Sequence, residues 1–453
     1  MKKLGFAAIF IVLIFTLTAC VGRSESHQPI PIVPPNAPVY MPAPTPRPTP
    51  RPVITGDTET APEYDVPPLP PLIAATMTQG VRTADFNEIT ATRWVANIGM
   101  GWNLGNTLDS HGGLNGFDWL GGGLYANTTV AEMEYAWVNH ITTRENIQAV
   151  ADAGFNTIRI PVTWFKALQN EMHIREDWMA RVQEIVDWSL DAGLKVILNT
   201  HHDEYIFDLR DEFMHYSKAS FIMVWKQIAY HFRDYNEMLM FEGLNEPRTI
   251  GSPAEWTGGT AEERANLNIL NQLFVDIVRA NGGNNAYRVL MVPTYAASSA
   301  AVAQRALVIP TDTVDDRIVV SLHIYAPWEF ALRTGPVGTR DTWDAENPAE
   351  VTPITEPLQL AYELFVSQGF PVIIGEMGAL NRDNEAIRAE WAYFFVSYAR
   401  SLGMPSVWWD NGMTGVTAAN PWGGWDETFG LIHRPTNTIV HQQIVDALMR
   451  AVR

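Results

Sequence analysis
A single cysteine, Cys20, stands among the 453 residues. No intramolecular disulfide can form, so the fold must be held by its core alone. Cations are scarce as well: 31 Lys and Arg face 50 Asp and Glu, for a net charge of −19. A protein that neutralises a phosphate backbone needs a clustered excess of Lys and Arg, so nucleic acid is not expected as a partner. No Gly-x-Gly-x-x-Gly follows the first strand-like segment, which removes the main support for a dinucleotide-binding domain. Long apolar runs are missing except for residues 4–19, and that one is shorter than the about 20 residues a membrane span requires.

That run has a context of its own. Lys2 and Lys3 precede it, Leu17-Thr18-Ala19 end it, and Cys20 follows directly. Charged n-region, apolar h-region and small-residue cleavage site read as a signal peptide over residues 1–19. Leu-Thr-Ala-Cys resembles a bacterial lipobox, which implies lipidation of Cys20 and a membrane-anchored protein on the bacterial cell surface. From about Pro29 to Pro71 the chain turns to Pro with Ala, Thr, Val and a few Arg, as in Pro42-Ala43-Pro44-Thr45-Pro46. Such a segment cannot pack a core and favours polyproline II, rising about 3.1 Å per residue, a spacer of up to roughly 100 Å. Residues 20–74 therefore read as anchor site and linker, and 75–453 as the folded domain.

In that domain, short β-prone runs alternate with stretches of helical periodicity. Candidate strands are 98–103, 157–161, 196–200, 239–244, 289–293, 318–323, 372–376 and 406–409, with helices predicted at 143–152, 176–192, 217–234, 260–280, 296–307, 355–368, 384–402 and 437–451. Eight βα units in one chain of this length favour a closed (β/α)8 barrel, an α/β fold whose active site is assembled at the C-terminal ends of the strands.

The residues at those ends are polar and chemically coherent: Asn106 and Asp109, then Arg159, His201 and His202, Asn245 and Glu246, His323 and Tyr325, Glu376, and Trp409. Glycoside hydrolysis needs one carboxylic acid to protonate the leaving oxygen and one carboxylate across the anomeric carbon; Glu246 and Glu376 fill that requirement, and a retaining separation of about 5–5.5 Å is open to them. The 16 Trp fit the same chemistry, since indole offers sugars a flat apolar face with a polar edge. Neighbouring strand positions point to opposite sides, so one of His201 and His202 is expected to face substrate and the other the core. A metal reading of His201-His202-Asp203 has no companion ligand cluster, and no metal or organic cofactor is implied.

From about residue 90 to 450 the chain resembles glycoside hydrolase family 5. The segments that carry the likeness are Gly101-Trp102-Asn103-Leu104-Gly105-Asn106-Thr107-Leu108-Asp109, Gly154-Phe155-Asn156-Thr157-Ile158-Arg159, Asn199-Thr200-His201-His202, Phe241-Glu242-Gly243-Leu244-Asn245-Glu246-Pro247, His323-Ile324-Tyr325, Ile374-Gly375-Glu376 and Trp408-Trp409-Asp410-Asn411-Gly412. The resemblance implies Glu376 as nucleophile and Glu246 as acid, later base. Arg159 and Tyr325 would hold Glu376 ionised, Glu246 would begin protonated, Asn245 would bond the 2-hydroxyl, and Trp409 would floor the reacting ring. Trp137 with Ile141-Thr142-Thr143, the segment Leu322-His323-Ile324-Tyr325-Ala326-Pro327 and the ending Trp409-Asp410-Asn411-Gly412 look like the endoglucanase and xyloglucanase branch, which implies endo-acting hydrolysis of β-1,4-glucans; a monomer is expected. A xyloglucan-specific or mannan-directed hydrolase shares these features. A non-catalytic surface glycan-binding lipoprotein would share the anchor and the aromatics but has no need of the acid, nucleophile and Arg159 together. Trp137, Trp328, Trp422 and Trp425 are expected on loops at the same face. Val138-Asn139-His140 and Trp328 depart from the family pattern, so contacts beyond the reacting sugar are expected to differ.

Overall fold
The computed structural model of the protein describes residues 86–111, 128–169, 172–334, 337–416 and 427–453. The signal segment, Cys20, the Pro-rich linker, Trp422 and Trp425 lie outside them. Eight parallel strands close into a barrel in sequence order: β1 Gly101–Leu104, β2 Thr157–Ile160, β3 Lys195–Asn199, β4 Leu239–Glu242, β5 Leu290–Ser298, β6 Ile318–His323, β7 Val372–Met377 and β8 Ser406–Asp410. They are buried almost throughout, as strands with helices on one face and a filled interior on the other must be.

The strand period of two sorts each strand into layers. Ile197, Met240, Met291, Val319, Ile373 and Val407 form one apolar layer with Trp94, Val95 and Ile98, the helix Ala91–Ala96 supplying two of these. Two residues further along their strands come Asn199, Glu242, Ser321 and Trp409, with Asn103 level with Trp409 on β8 and with Arg159 on β2. The barrel therefore passes from apolar to polar within two residues along the strands.

Two helices differ from expectation. The segment 296–307 is helical only over Ala301–Ala306, because β5 runs on to Ser298 through Ala296 and Ala297 at φ 52° and 46°, in a left-handed conformation that breaks its register with β6. The helix expected at 355–368 begins earlier, at Pro348, where Asn347 caps it and proline suits the first turn, and it continues through Pro353 and Pro357 to Leu364.

Candidate active site
A fully buried arginine organises the mouth of the barrel. Arg159 on β2 donates from Nε to Glu242 at 2.6 Å, from Nη1 to Asn103 and Glu376 at 2.9 Å each, and from Nη2 to Asn245 at 2.6 Å. A guanidinium is suited to this, with a planar fork of five donors that stays charged when buried. It joins β1, β2, β4 and β7 at one point. Glu242 is held in turn by Ser321 Oγ at 2.8 Å and Asn199 Nδ2 at 3.1 Å.

Glu376 accepts from Arg159 at one oxygen and from the Tyr325 hydroxyl at 2.9 Å at the other. Glu246, four residues past β4, lies 2.8 Å from His323 Nδ1 through Oε1 and 3.8 Å from Arg248 through Oε2. Glu246, Glu376 and His323 each bring one oxygen or ring nitrogen within 4.8 Å of the others, a proximity compatible with the retaining arrangement, in which the carboxyl groups stand about 5–5.5 Å apart. His323 reaches between them because Gly375 leaves room: a Cβ there would lie 3.1 Å from His323 Nε2.

Burial is the largest influence on both carboxyls and favours the proton on each. At Glu376 it prevails over the charges of His323 and Arg159, so that its proton affinity is raised. At Glu246 the hydrogen bond and charge of His323, with Arg248 and Arg159 behind them, prevail instead and lower it. The two carboxyls stand close enough to titrate as one coupled site. Burial and the Glu376 charge push the Tyr325 hydroxyl well above its usual range, which keeps it a donor.

The two histidines occupy different settings. β3 ends at Asn199, so strand alternation does not reach His201 and His202, whose rings meet edge to face at 4.5 Å. His201 stacks on Trp409 at 5.7 Å and 6° and sets Nε2 4.0 Å from Glu376, whereas His202 packs on His111 and Trp137. Trp409 in turn lies over Gly105, where a Cβ would meet its ring at 2.8 Å.

Asp109 is buried beneath the mouth, accepting from the backbone N–H of Asn106 at 2.9 Å and Thr107 at 2.6 Å, and so shapes the loop after β1. Asn106 takes the left-handed φ of 58° that this turn requires. Asn411 is buried as well, joining Glu427 O and the N–H groups of Met413 and Phe429. Trp137 stands on the helix Val130–Val138 rather than on a loop, its indole N–H on His111 O at 3.1 Å. Trp328, half exposed, opens a short helix, Trp328–Ala331, with the Arg333 guanidinium over its ring. Asp109, His201 and His202 could also converge on a cation, but Asp109 already serves the loop and His201 Nδ1 lies 3.2 Å from Asn199 Nδ2.

Four working residues escaped the sequence reading. Glu242 had a signal, an acid closing the apolar run Leu239-Met240-Phe241; Asn103 and Ser321 had none that separated them from ordinary strand residues. Arg248, two residues past Glu246, is joined to three carboxylates.

The model of the cellulase family, glycosyl hydrolase family 5, matches residues 123–415. Endoglucanase B of Neocallimastix patriciarum is 40% identical over 369 residues, covering 81% of this chain and 73% of that protein. A GH5-4 broad specificity endoglucanase from Ruminococcus champanellensis, solved with bound cellotriose, superimposes with a TM-score of 0.73 at 38% identity, over 81% of this chain and all, 100%, of that one. A family 5 lichenase from Caldicellulosiruptor sp. F32 gives a TM-score of 0.73 at 34% identity, over 82% of this chain and 98% of its own. On its sequence, its barrel and the residues at the barrel mouth, the chain belongs to glycoside hydrolase family 5.

Proposed function
We propose that the protein is an endo-acting, retaining hydrolase of β-1,4-glucan chains, including mixed-linkage glucan and xyloglucan, with Glu376 as nucleophile and Glu246 as acid/base. The observation that carries this is the carboxylate pair at one point of the barrel mouth, Glu376 fastened by Arg159 and Tyr325 and Glu246 by His323. A sugar entering the cleft displaces water from both. Glu376 attacks the anomeric carbon while Glu246 gives a proton to the departing oxygen; the covalent glycosyl-enzyme neutralises Glu376, and Glu246 then takes a proton from the attacking water. Asn245, oriented through its Oδ1 by Arg159, presents its amide nitrogen to the 2-hydroxyl, and Trp409 offers its face to the ring. The breadth of substrate is supported by relatives described as broad specificity endoglucanase and lichenase, and by the cellotriose bound to one of them.

The test is product release from carboxymethyl cellulose, barley β-glucan, xyloglucan and mannan, with the anomer of the first product read by NMR. The β-anomer from the glucans, and loss of turnover with retained glucan binding in Glu376→Gln, are the expected results. Activity confined to mannan overturns the substrate, and an α-anomer overturns the mechanism. The same reading carries the lipid anchor: Cys20→Ser is expected to abolish incorporation of labelled palmitate and release the enzyme from cell membranes, and unchanged labelling would refute it.

A further inference from the structure
Arg248 has no part in the chemistry as described so far, yet it is the most heavily engaged cation at the mouth after Arg159. It leaves β4 two residues beyond Glu246, and its side chain is 11% exposed. Nη1 lies 2.5 Å from Glu204 Oε1, 2.9 Å from the carbonyl of Glu246 and 3.8 Å from Glu246 Oε2. Nε donates to Glu255 Oε1 at 3.1 Å, and the guanidinium lies 4.5 Å from the ring of Trp256, itself 62% exposed. The second oxygen of Glu204 is buried and has no hydrogen-bond partner among the described residues. A buried, unpartnered carboxylate oxygen costs free energy that packing alone would not retain.

We propose that Arg248, clamped between Glu204 and Glu255, is a positioning residue that sets the proton affinity of Glu246 from the face opposite His323, a role that rests on Glu246 being the acid/base. His323 addresses Oε1 and Arg248 addresses Oε2. While Glu246 holds its proton, the arginine is neutralised by the other two acids. When the proton passes to the departing oxygen, the new carboxylate forms 3.8 Å from a cation already in place. Glu204 competes for the same Nη1 and limits how far the arginine pulls. The two side chains are thus opposed controls on one carboxyl.

The other groups whose charge Glu246 feels are His323 on β6, Glu376 on β7, Arg159 on β2, and Tyr325 and Glu427 beyond them. Arg248 is also felt by His111, His201, His202 and Tyr295. All stay in place in the variants below.

The full-length enzyme is assayed for kcat/KM against pH on phenyl β-cellobioside, whose leaving group needs a proton, and on 2,4-dinitrophenyl β-cellobioside, whose leaving group does not. The alkaline limb on the phenyl substrate reports the acid. Arg248→Met is expected to move it up by about one pH unit, since a cation within about 4–6 Å is withdrawn. Glu204→Gln, which leaves the cation to Glu255 and Glu246 alone, is expected to move it down. Arg248→Lys keeps the charge and is expected to stay near wild type. The dinitrophenyl substrate should show none of these shifts. A purely structural arginine would move both limbs together or neither, and either result, or Arg248→Lys behaving as Arg248→Met, overturns the proposal; if Arg248→Met does not fold, the signs for Glu204→Gln and Arg248→Lys decide alone. Glu246→Gln tests the underlying assignment separately: kcat/KM should collapse on the phenyl substrate and persist on the dinitrophenyl one, whose kcat falls because the glycosyl-enzyme has lost its base, and retained phenyl kcat/KM would remove the acid/base role itself.

Discussion
Replacing Glu242 by Gln removes one charge from the centre of the site and changes no shape. Arg159 and Glu242 are both 0% exposed, and their 2.6 Å contact is the shortest that the guanidinium makes to a carboxylate. In the variant the amide oxygen still faces Nε and the amide nitrogen can donate to Ser321, so the loss is one of charge. Breaking a buried ion pair costs about 3–5 kcal/mol when the remaining ion is stranded; Arg159 keeps Glu376, which puts the cost near about 3 kcal/mol. With an unfolding entropy of about 2.1 cal/mol/K per residue over about 360 residues, the melting temperature should fall by roughly 4 °C. Glu376 then has the arginine to itself. Burial holds its proton affinity up in the wild type, and an undivided guanidinium lowers it, so the acidic limb of kcat/KM should move down by about one pH unit. Calorimetry and a pH–rate profile on the same preparation check both. A lower melting temperature with an unmoved acidic limb would refute the link, making Glu242 a partner in folding only.

Tyr325→Phe keeps the ring that packs on Phe429 but loses the 2.9 Å bond to Glu376; a hydrogen bond to a charged group is worth about 1.5–3 kcal/mol, so kcat/KM on β-glucan should fall roughly 10- to 150-fold. Gly375→Ala places a Cβ 3.0 Å from Ser321 Oγ and 3.1 Å from His323 Nε2; steady-state kinetics should show kcat down by about tenfold or more, because His323 must leave Glu246. Asp203 accepts N–H bonds from Trp164 and Phe165, yet burial pushes its carboxyl up to about 7. The native state therefore binds more protons than the unfolded chain between about pH 4 and about pH 7, and stability falls as pH rises through that window. Asp203→Asn should flatten that slope in urea titrations at pH 5 and pH 7.5.

The barrel was legible in the sequence because eight apolar runs alternate with amphipathic helices, and each run is short enough to be a strand and nothing else. The polar strand ends stood out against that background for the same reason: Arg159, Glu246, Glu376 and Tyr325 interrupt segments that packing would otherwise keep apolar. Nearby positions were legible only as residue types. Asp109 and Asn411 look like ligands for substrate, and the structure gives them loops to fasten. His201 and His202 look like opposite faces of a strand that in fact ends before them.

Local sequence thus determined the elements, their order and which side chains stand at the strand ends, since propensity and periodicity act over a few residues. Which of those side chains touch was decided by closure of the barrel. Arg159 meets Glu242 83 residues away and Glu376 217 residues away, and Arg248 meets Glu204 across 44. The proton affinities of the catalytic pair were decided there too, because they depend on burial and on charges brought in by other strands, and no stretch of the chain contains either.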